Sequence, residues 1–389
     1  MRRTRSKSSE ENEPERKASP MIRFGMVGIG VIARDYARLI TEGKAGNCTI
    51  TALSSRSETH MKQLQEEFGL RDATPFTDYC AMLDSGAIDA VIICTPHSLH
   101  PSMAKAAVDR GIHALIEKPI GVFPDEVEDL LRTLRANPGV KSGVLYCRRA
   151  GSAFQKLHEL AESGFFGQLK HASWIITNLY RPQAYHSAQT WKGTYAGEGG
   201  GLLLTQASHQ LDLLLWMLGA PESVHAFCGF GVERDIEVEN DAVLHLRYPG
   251  NLTAQFIASS REFPGSNRLE ISGSAGQAVL EDDRELTLRA LSQDERAFSR
   301  TTDEMFGRIP FTEKTLSFGD TDNAAQQAAI IANFVSAVER DGRVLCSVED
   351  ALLSLRTINA AYLSAWTGET VSLDFDSAEY RKALESRFC

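Results

Sequence analysis

The sequence predicts an α/β protein in two parts. A doubly wound parallel sheet is expected over residues 21–143, then an α/β domain rich in antiparallel strands over 144–389. Three observations predict this. A glycine-rich turn joins a short apolar run to a helical pattern at residues 22–40. Short apolar runs then alternate with helical patterns, as βαβ units do. From residue 224 the pattern becomes apolar–polar alternation broken by turns, as antiparallel strands require.

The bulk numbers agree. A chain of 389 residues with 43% hydrophobic and 24% charged content is long enough for two ordinary cores. A net charge of −10 argues against nucleic acid or an anionic membrane as the main partner. No apolar run reaches the ~18 residues of a membrane span. Seven cysteines without a CxxC pair suit reduced thiols, so a cytoplasmic location is expected. Residues 1–20 carry almost no apolar side chain and are expected to be disordered. Their Arg2-Arg3 pair precedes no apolar segment, and their four glutamates argue against a transit peptide.

Taken in order, 22–27 reads as a strand, followed by Gly28-Ile29-Gly30-Val31-Ile32-Ala33 and a helix through Ile40. This is the GxGxxG/A fingerprint of a Rossmann dinucleotide site. Gly28 permits the turn, Gly30 admits a pyrophosphate, Ala33 allows close helix–sheet packing, and the first helical turn (Val31, Ile32) faces the phosphates. The strand at 49–53 ends in Ser54-Ser55-Arg56-Ser57, with no acidic residue for a ribose 2′-OH. Ser55 and Arg56 suit a 2′-phosphate, which leans the cofactor expectation from NAD towards NADP; a solvated surface Arg56 is the alternative.

The strand at 90–94 leads into Thr95-Pro96-His97-Ser98-Leu99-His100. The HxxH spacing has no Cys or carboxylate cluster beside it, so no metal is expected. Thr95, Pro96 and His100 are instead expected to border the cofactor. A helix at 102–110 and a strand at 112–116 deliver Glu117-Lys118-Pro119 to the carboxyl end of the sheet, where such sheets bind ligands. Glu117 and Lys118 are candidate cofactor-side residues.

A strand at 140–147 leads into the second domain, followed by a helix at 154–163 and a strand at 172–177. The aromatic, polar loop at 178–195 carries Arg181, Tyr185 and Trp191, side chains suited to a sugar's C–H face and hydroxyls. The stretch 199–216 reads as one buried helix opened by three glycines. At ~100° per residue, Thr205, His209, Asp212 and Trp216 share one face. A polar stripe on a buried helix needs partners, and imidazole, hydroxyl and carboxylate together suit proton handling. Helices at 323–339 and 349–366 close the domain.

These motifs, in this order and spacing, resemble the Gfo/Idh/MocA oxidoreductases, the family of glucose–fructose oxidoreductase and inositol 2-dehydrogenase. The residues carrying the resemblance are Gly28-x-Gly30-x-x-Ala33, Thr95-Pro96-x-x-x-His100, Glu117-Lys118-Pro119 and Gly199-Gly200-Gly201-x-Leu203 with His209-x-x-Asp212; Glu239-Asn240-Asp241 continues it. The resemblance implies an N-terminal Rossmann domain and a C-terminal domain with a large, mainly antiparallel open sheet whose face mediates homodimers or homotetramers. It also implies NAD(P)-dependent chemistry on a sugar, cyclitol or related polyol, with Lys118 and His209 matching the family's active-site lysine and histidine. One departure stands out: Thr205 occupies a position where many members carry Asp.

On this reading His209 takes the hydroxyl proton, Lys118 stabilises the reacting oxygen, and Thr205 positions substrate. Asp212 either orients His209 or pairs with a structural arginine. Lys118, Arg181, Tyr185, Trp191, Thr205 and His209 form the expected substrate set. Two other classes remain open: an NAD-dependent glycosidase-like enzyme using transient oxidation, and a non-catalytic cofactor-binding sensor.

Overall fold

The computed structural model describes residues 21–319 and 322–388; the expectation for residues 1–20 lies outside them. Six strands form the first sheet: β1 (Ile22–Val27), β2 (Cys48–Ser54), β3 (Thr74–Phe76), β4 (Ala90–Ile93), β5 (His113–Ile116) and β6 (Ser142–Val144). They pair in parallel in the order β3-β2-β1-β4-β5-β6. The chain winds outward from β1, then restarts on its other side at β4. The crevice beyond the carboxyl ends of β1 and β4 is therefore the ligand-binding switch point.

A parallel sheet needs both faces covered. The residues alternate accordingly: Val91 and Ile93 join one core and Ala90 and Ile92 the other. One face packs on helices His100–Val108 and Pro124–Ala136, the other on Val31–Thr41 and Glu58–Phe68. Helix Asn323–Arg340 completes the second face. Its Ile330, Ile331, Phe334 and Val335 share a core with Phe24, Tyr36 and Leu115, and the Phe334 and Phe24 rings lie 6.2 Å apart. The chain thus returns to pack on the first sheet after building the second domain.

The second sheet has nine strands: β7 (Leu169–Ile176), β8 (Ser223–Phe230), β9 (Glu239–Arg247), β10 (Thr253–Ser259), β11 (Asn267–Gly273), β12 (Gly276–Glu281), β13 (Glu285–Leu291), β14 (Phe311–Ser317) and β15 (Val371–Ser372). Their order is β14-β13-β12-β11-β7-β10-β9-β8-β15. Neighbours are antiparallel except β7 and β10, which run parallel with Trp174 opposite Phe256. The sheet is thus mixed at its centre. Ala172, Trp174 and Ile176 of β7 alternate inward with Ala254, Phe256 and Ala258 of β10. They meet helices Ser152–Glu162, Ser208–Leu218 and Val348–Thr367 in one core. Among the described residues no helix is long and apolar enough to cross a membrane.

Candidate active site

The glycine turn after β1 opens the site. Gly28 has φ +83°, and a Cβ there would lie 2.5 Å from the Cys94 carbonyl oxygen, so only glycine fits. A Cβ on Gly30 would meet nothing within 4 Å. That open space lies before helix Val31–Thr41, whose N-cap Gly30 supplies no side-chain cap, leaving first-turn N–H groups for an anion. Ala33 is fully buried, as close helix–sheet packing requires.

A cleft of about 850 Å³ runs from this turn, lined by Gly28, Ile29, Gly30, Ser55, Arg56, Thr95 and Pro96. These expected cofactor residues do come together. His60, Thr77 and Leu99 also line the cleft and were not anticipated. The residues fit a dinucleotide: glycine turn, helix N-terminus, and a polar Ser55–Arg56 rim beyond β2. Val31 is exposed, and Ile32 lines a neighbouring cavity instead.

His100 is corrected. It lies fully buried behind the cleft, with Nδ1 2.8 Å from the Pro119 carbonyl and Nε2 2.7 Å from the Thr95 carbonyl. It ties the loops after β4 and β5 together rather than bordering the cofactor.

The neighbouring cavity, about 320 Å³, is where the Glu117-Lys118-Pro119 segment meets the stretch carrying His209: Glu117, Lys118 and His209 line it with Ile32, Tyr36 and Cys147. Lys118 follows β5, across a cis peptide to Pro119. Its Nζ donates to the Thr205 carbonyl at 2.6 Å. Glu117 faces away from solvent: Oε1 accepts from the Tyr36 hydroxyl, and Oε2 accepts from the Lys118 backbone N–H at 2.9 Å. Burial pushes its carboxyl above the ordinary range, against the pull of Lys118.

The stretch 199–216 is not one helix. It divides into Leu202–Thr205 and Ser208–Leu218, because the N–H groups of Gln206 and Ala207 both turn back to the Leu202 carbonyl, at 3.0 and 2.8 Å. The first piece is anchored by Glu239, which accepts from Gly201 N at 2.9 Å, Leu203 N at 2.8 Å and the Tyr362 hydroxyl at 2.8 Å. Burial raises this carboxyl to about 7. A Cβ on Gly201 would collide with the Glu239 carbonyl, which accounts for the third glycine.

The break changes what Thr205 does. Its hydroxyl donates back to the Gly201 carbonyl at 2.7 Å, while its own carbonyl receives Lys118. The contact to the lysine is made by backbone, which a side-chain stripe could not reveal.

His209 opens the second helix. Its ring sits edge-on to Tyr146 at 5.7 Å, and its buried Nδ1 has no hydrogen-bond partner among the described residues. Burial pushes the imidazole well below its usual value, and Lys118 and then Arg148 push the same way. His209 is thus a neutral base at ordinary pH.

Asp212 does not orient it. Its two oxygens accept from Nε and Nη2 of Arg149, both at 2.8 Å, and Ser354 adds a bond at 3.1 Å. Arg149 also reaches Asp350 at 3.1 Å and the Leu345 carbonyl at 3.2 Å. The structural-arginine alternative is the one realised, and the catalytic assignment of Asp212 is corrected.

The 178–195 loop contains the short helix Gln183–His186 and ends in a second, Tyr195–Glu198. The Tyr185 hydroxyl accepts from Gln206 Nε2 at 3.3 Å, joining this loop to the helix break. Arg181 stacks on the Tyr185 ring at 5.2 Å, and Trp191 is 44% exposed at the loop's rim. Asn323 and Gln327, from the helix that returns to the first sheet, also line the reactive cavity. Their i, i+4 spacing was the only available signal.

Residues 22–143 match the oxidoreductase family with an NAD-binding Rossmann fold, and 154–279 match the GFO/IDH/MocA C-terminal domain. D-xylose 1-dehydrogenase (NADP(+)) 2 of Haloferax volcanii is 26% identical over 364 residues, covering 90% of this chain and 98% of that enzyme. Inositol 2-dehydrogenase of Rhizobium meliloti is 22% identical over 357 residues, covering 90% and 99%. Among solved structures, the WlbA dehydrogenase of Bordetella pertussis, in complex with NADH and UDP-GlcNAcA, superposes with a TM-score of 0.74. It is 24% identical, with 92% of this chain and all of that one covered. The chain belongs to the Gfo/Idh/MocA family of NAD(P)-binding oxidoreductases.

Proposed function

We propose that this protein is a dehydrogenase that moves a hydride between NAD(P) and a CH–OH group of a sugar or polyol. The observation that carries the reading is the single cavity shared by Lys118 and His209, beside the glycine turn of the nucleotide cleft. The nicotinamide supplies the hydride acceptor when bound. Lys118, positioned by the Thr205 carbonyl, stabilises the alkoxide that develops as the hydroxyl loses its proton. His209 is unprotonated at rest and takes that proton. Thr205, through its carbonyl, is a positioning residue for Lys118.

Xylose and inositol dehydrogenases among the relatives support a carbohydrate or cyclitol substrate. The Ser55–Arg56 rim supports NADP, with Arg56 reaching the 2′-phosphate. Arg56→Ala then weakens NADPH binding at least tenfold and leaves NADH binding near its original value; equal losses for both cofactors refute this preference.

His209→Ala and Lys118→Met test the chemistry. Each should lower kcat by about 10²-fold or more while NAD(P)H still binds. Near-normal turnover in both variants overturns the assignment.

A further inference from the structure

We infer that the substrate carries an oxyanion, a carboxylate or a phosphate, in addition to the hydroxyl that is oxidised. This rests on the dehydrogenase reading above and specifies its substrate class. Three cations gather around the Tyr180 and Tyr185 rings: Arg181, Lys192 and Arg234. They are held by ring faces and backbone carbonyls. Arg181 and Lys192 both lie over Tyr185, at 5.2 and 4.0 Å, and Arg234 lies over Tyr180 at 5.7 Å. Arg181 Nη1 donates to the Tyr180 carbonyl at 2.8 Å, and Arg234 Nε donates to the Arg181 carbonyl at 3.1 Å.

Among the described residues none of the three forms an ion pair with a carboxylate. Lys192 Nζ and the Nε and Nη2 of Arg181 have no hydrogen-bond partner there either. Arg261 nearby shows the contrast, since it pairs with Asp241 at 2.6 Å and Glu233 at 3.8 Å. Glu198 is the buried carboxyl that feels Lys192, and its oxygen accepts from Gly193 N at 2.6 Å rather than from the lysine.

A chain with net charge −10 has many carboxylates with which to neutralise three adjacent cations. Held together without one, the three like charges repel one another, and an anion bound from outside would relieve that repulsion. All three also act on one buried side chain, His186. The buried His186 is depressed first by burial, then by Arg234, Lys192 and Arg181, and neither of its ring nitrogens has a partner among the described residues.

The cluster connects to the chemistry. Tyr185, which carries two of the cations on its ring, is bonded to Gln206, next to the Thr205 carbonyl that holds Lys118. Glu198 feels both Lys192 and Lys118. The inferred substrate would have its hydroxyl at Lys118 and His209 and its oxyanion among Arg181, Lys192 and Arg234.

The test is binding to the protein–NADH complex, read as NADH fluorescence, with D-gluconate, D-glucose 6-phosphate and neutral D-glucose as probes. At least one anionic probe should bind ten or more times tighter than glucose. Gluconate ahead of the phosphate identifies a carboxylate site, and the reverse a phosphate site. The preference should shrink with added salt. It should fall about tenfold for each cation removed in Arg181→Gln and Lys192→Gln, and return in Lys192→Arg.

Two results overturn the inference: both anions binding no tighter than glucose, or a preference that survives the double variant. Because binding is read without turnover, the two readings fail separately. Oxyanion binding, with no reduction of NAD+ or NADP+ by any anionic or neutral member of a sugar and polyol panel, removes the dehydrogenase reading. Turnover of neutral polyols with no anion preference removes this one.

Discussion

Asp212 separates a structural from a catalytic role in one substitution. Its carboxylate is fully buried against Arg149, which is 2% exposed, through two bonds of 2.8 Å and a third to Ser354. The pair fastens helix Ser208–Leu218, which carries His209, to the turn Cys147–Ala150 and to helix Val348–Thr367. Asp212→Ala leaves the guanidinium buried and short of its main partner. Removing one member of such a pair costs about 3–5 kcal/mol. Asp350 stays within 3.1 Å of Arg149 but is 42% exposed, so it compensates only in part. The expected loss is therefore about 3 kcal/mol, roughly 150-fold in the unfolding equilibrium. Asp212→Asn keeps the shape and loses the charge, so it should fall between Ala and wild type. Urea denaturation followed by circular dichroism reads the stability, and kcat of the folded fraction reads the chemistry. Both variants should unfold at lower urea while the folded fraction turns over within about tenfold of wild type. If Asp212→Asn unfolds at the wild-type urea concentration yet loses turnover as severely as His209→Ala, the carboxylate acts on the imidazole and the structural reasoning is wrong.

The remaining predictions concern the glycine turn of the cofactor cleft and the half-buried His97. At Gly30, φ is −103° and a Cβ meets open space, so Gly30→Ala should melt like wild type while NADH affinity drops at least tenfold; unchanged NADH affinity in a fluorescence titration refutes the pyrophosphate placement. Gly28→Ala should behave oppositely, with lost stability, because its φ is +83° and its Cβ meets the Cys94 carbonyl. His97 is held at about 3 by burial, then by the nearby His100 and Lys118. The unfolded chain takes up that proton near 6.5 and the folded chain only near 3, so stability is lost as pH falls through this window, by up to about 1.4 kcal/mol per pH unit. His97→Gln should flatten urea midpoints measured across pH 4–6.5 by that amount; parallel wild-type and variant curves rule out the contribution.

What the sequence reveals and what it conceals divide along the range of the interactions. Gly28, Gly30 and Ala33 are legible because strand, turn and helix are contiguous and a turn dictates its residues locally. Lys118 is legible because a residue directly after a parallel strand has only one crevice to face. The stripe at 199–216 is misread because periodicity assumes an unbroken helix, whereas the anchor that fixes its first piece, Glu239, lies on a strand 36 residues beyond Leu203. Asp212 is ambiguous for the same reason: Arg149 lies 63 residues earlier, and nothing local chooses between it and His209. Helix Asn323–Arg340 has an apolar stripe that any bare sheet face could accept. Only the folded arrangement shows that the uncovered face belongs to the first sheet, which brings Asn323 and Gln327 into the reactive cavity.

The electrostatics around His209 explain why Thr205 is compatible with a working site. A carboxylate four residues earlier would support an imidazolium. In this chain the charged groups acting on the imidazole are Lys118 and Arg148, both cations, and Asp212 is neutralised by Arg149. His209 is therefore weakly basic, and on its own it would be a poor proton acceptor for an alcohol. In the proposed reaction Lys118 would offset this from the other side, because an ammonium beside the reacting oxygen favours the alkoxide and makes the hydroxyl proton easier to remove. The lysine performs this role only while its position is fixed, and the carbonyl that fixes it becomes available at the end of a helix broken after Thr205. On the proposed mechanism the helix break and the missing carboxylate belong to one arrangement: basicity given up at His209 would be recovered as acidity at the substrate hydroxyl.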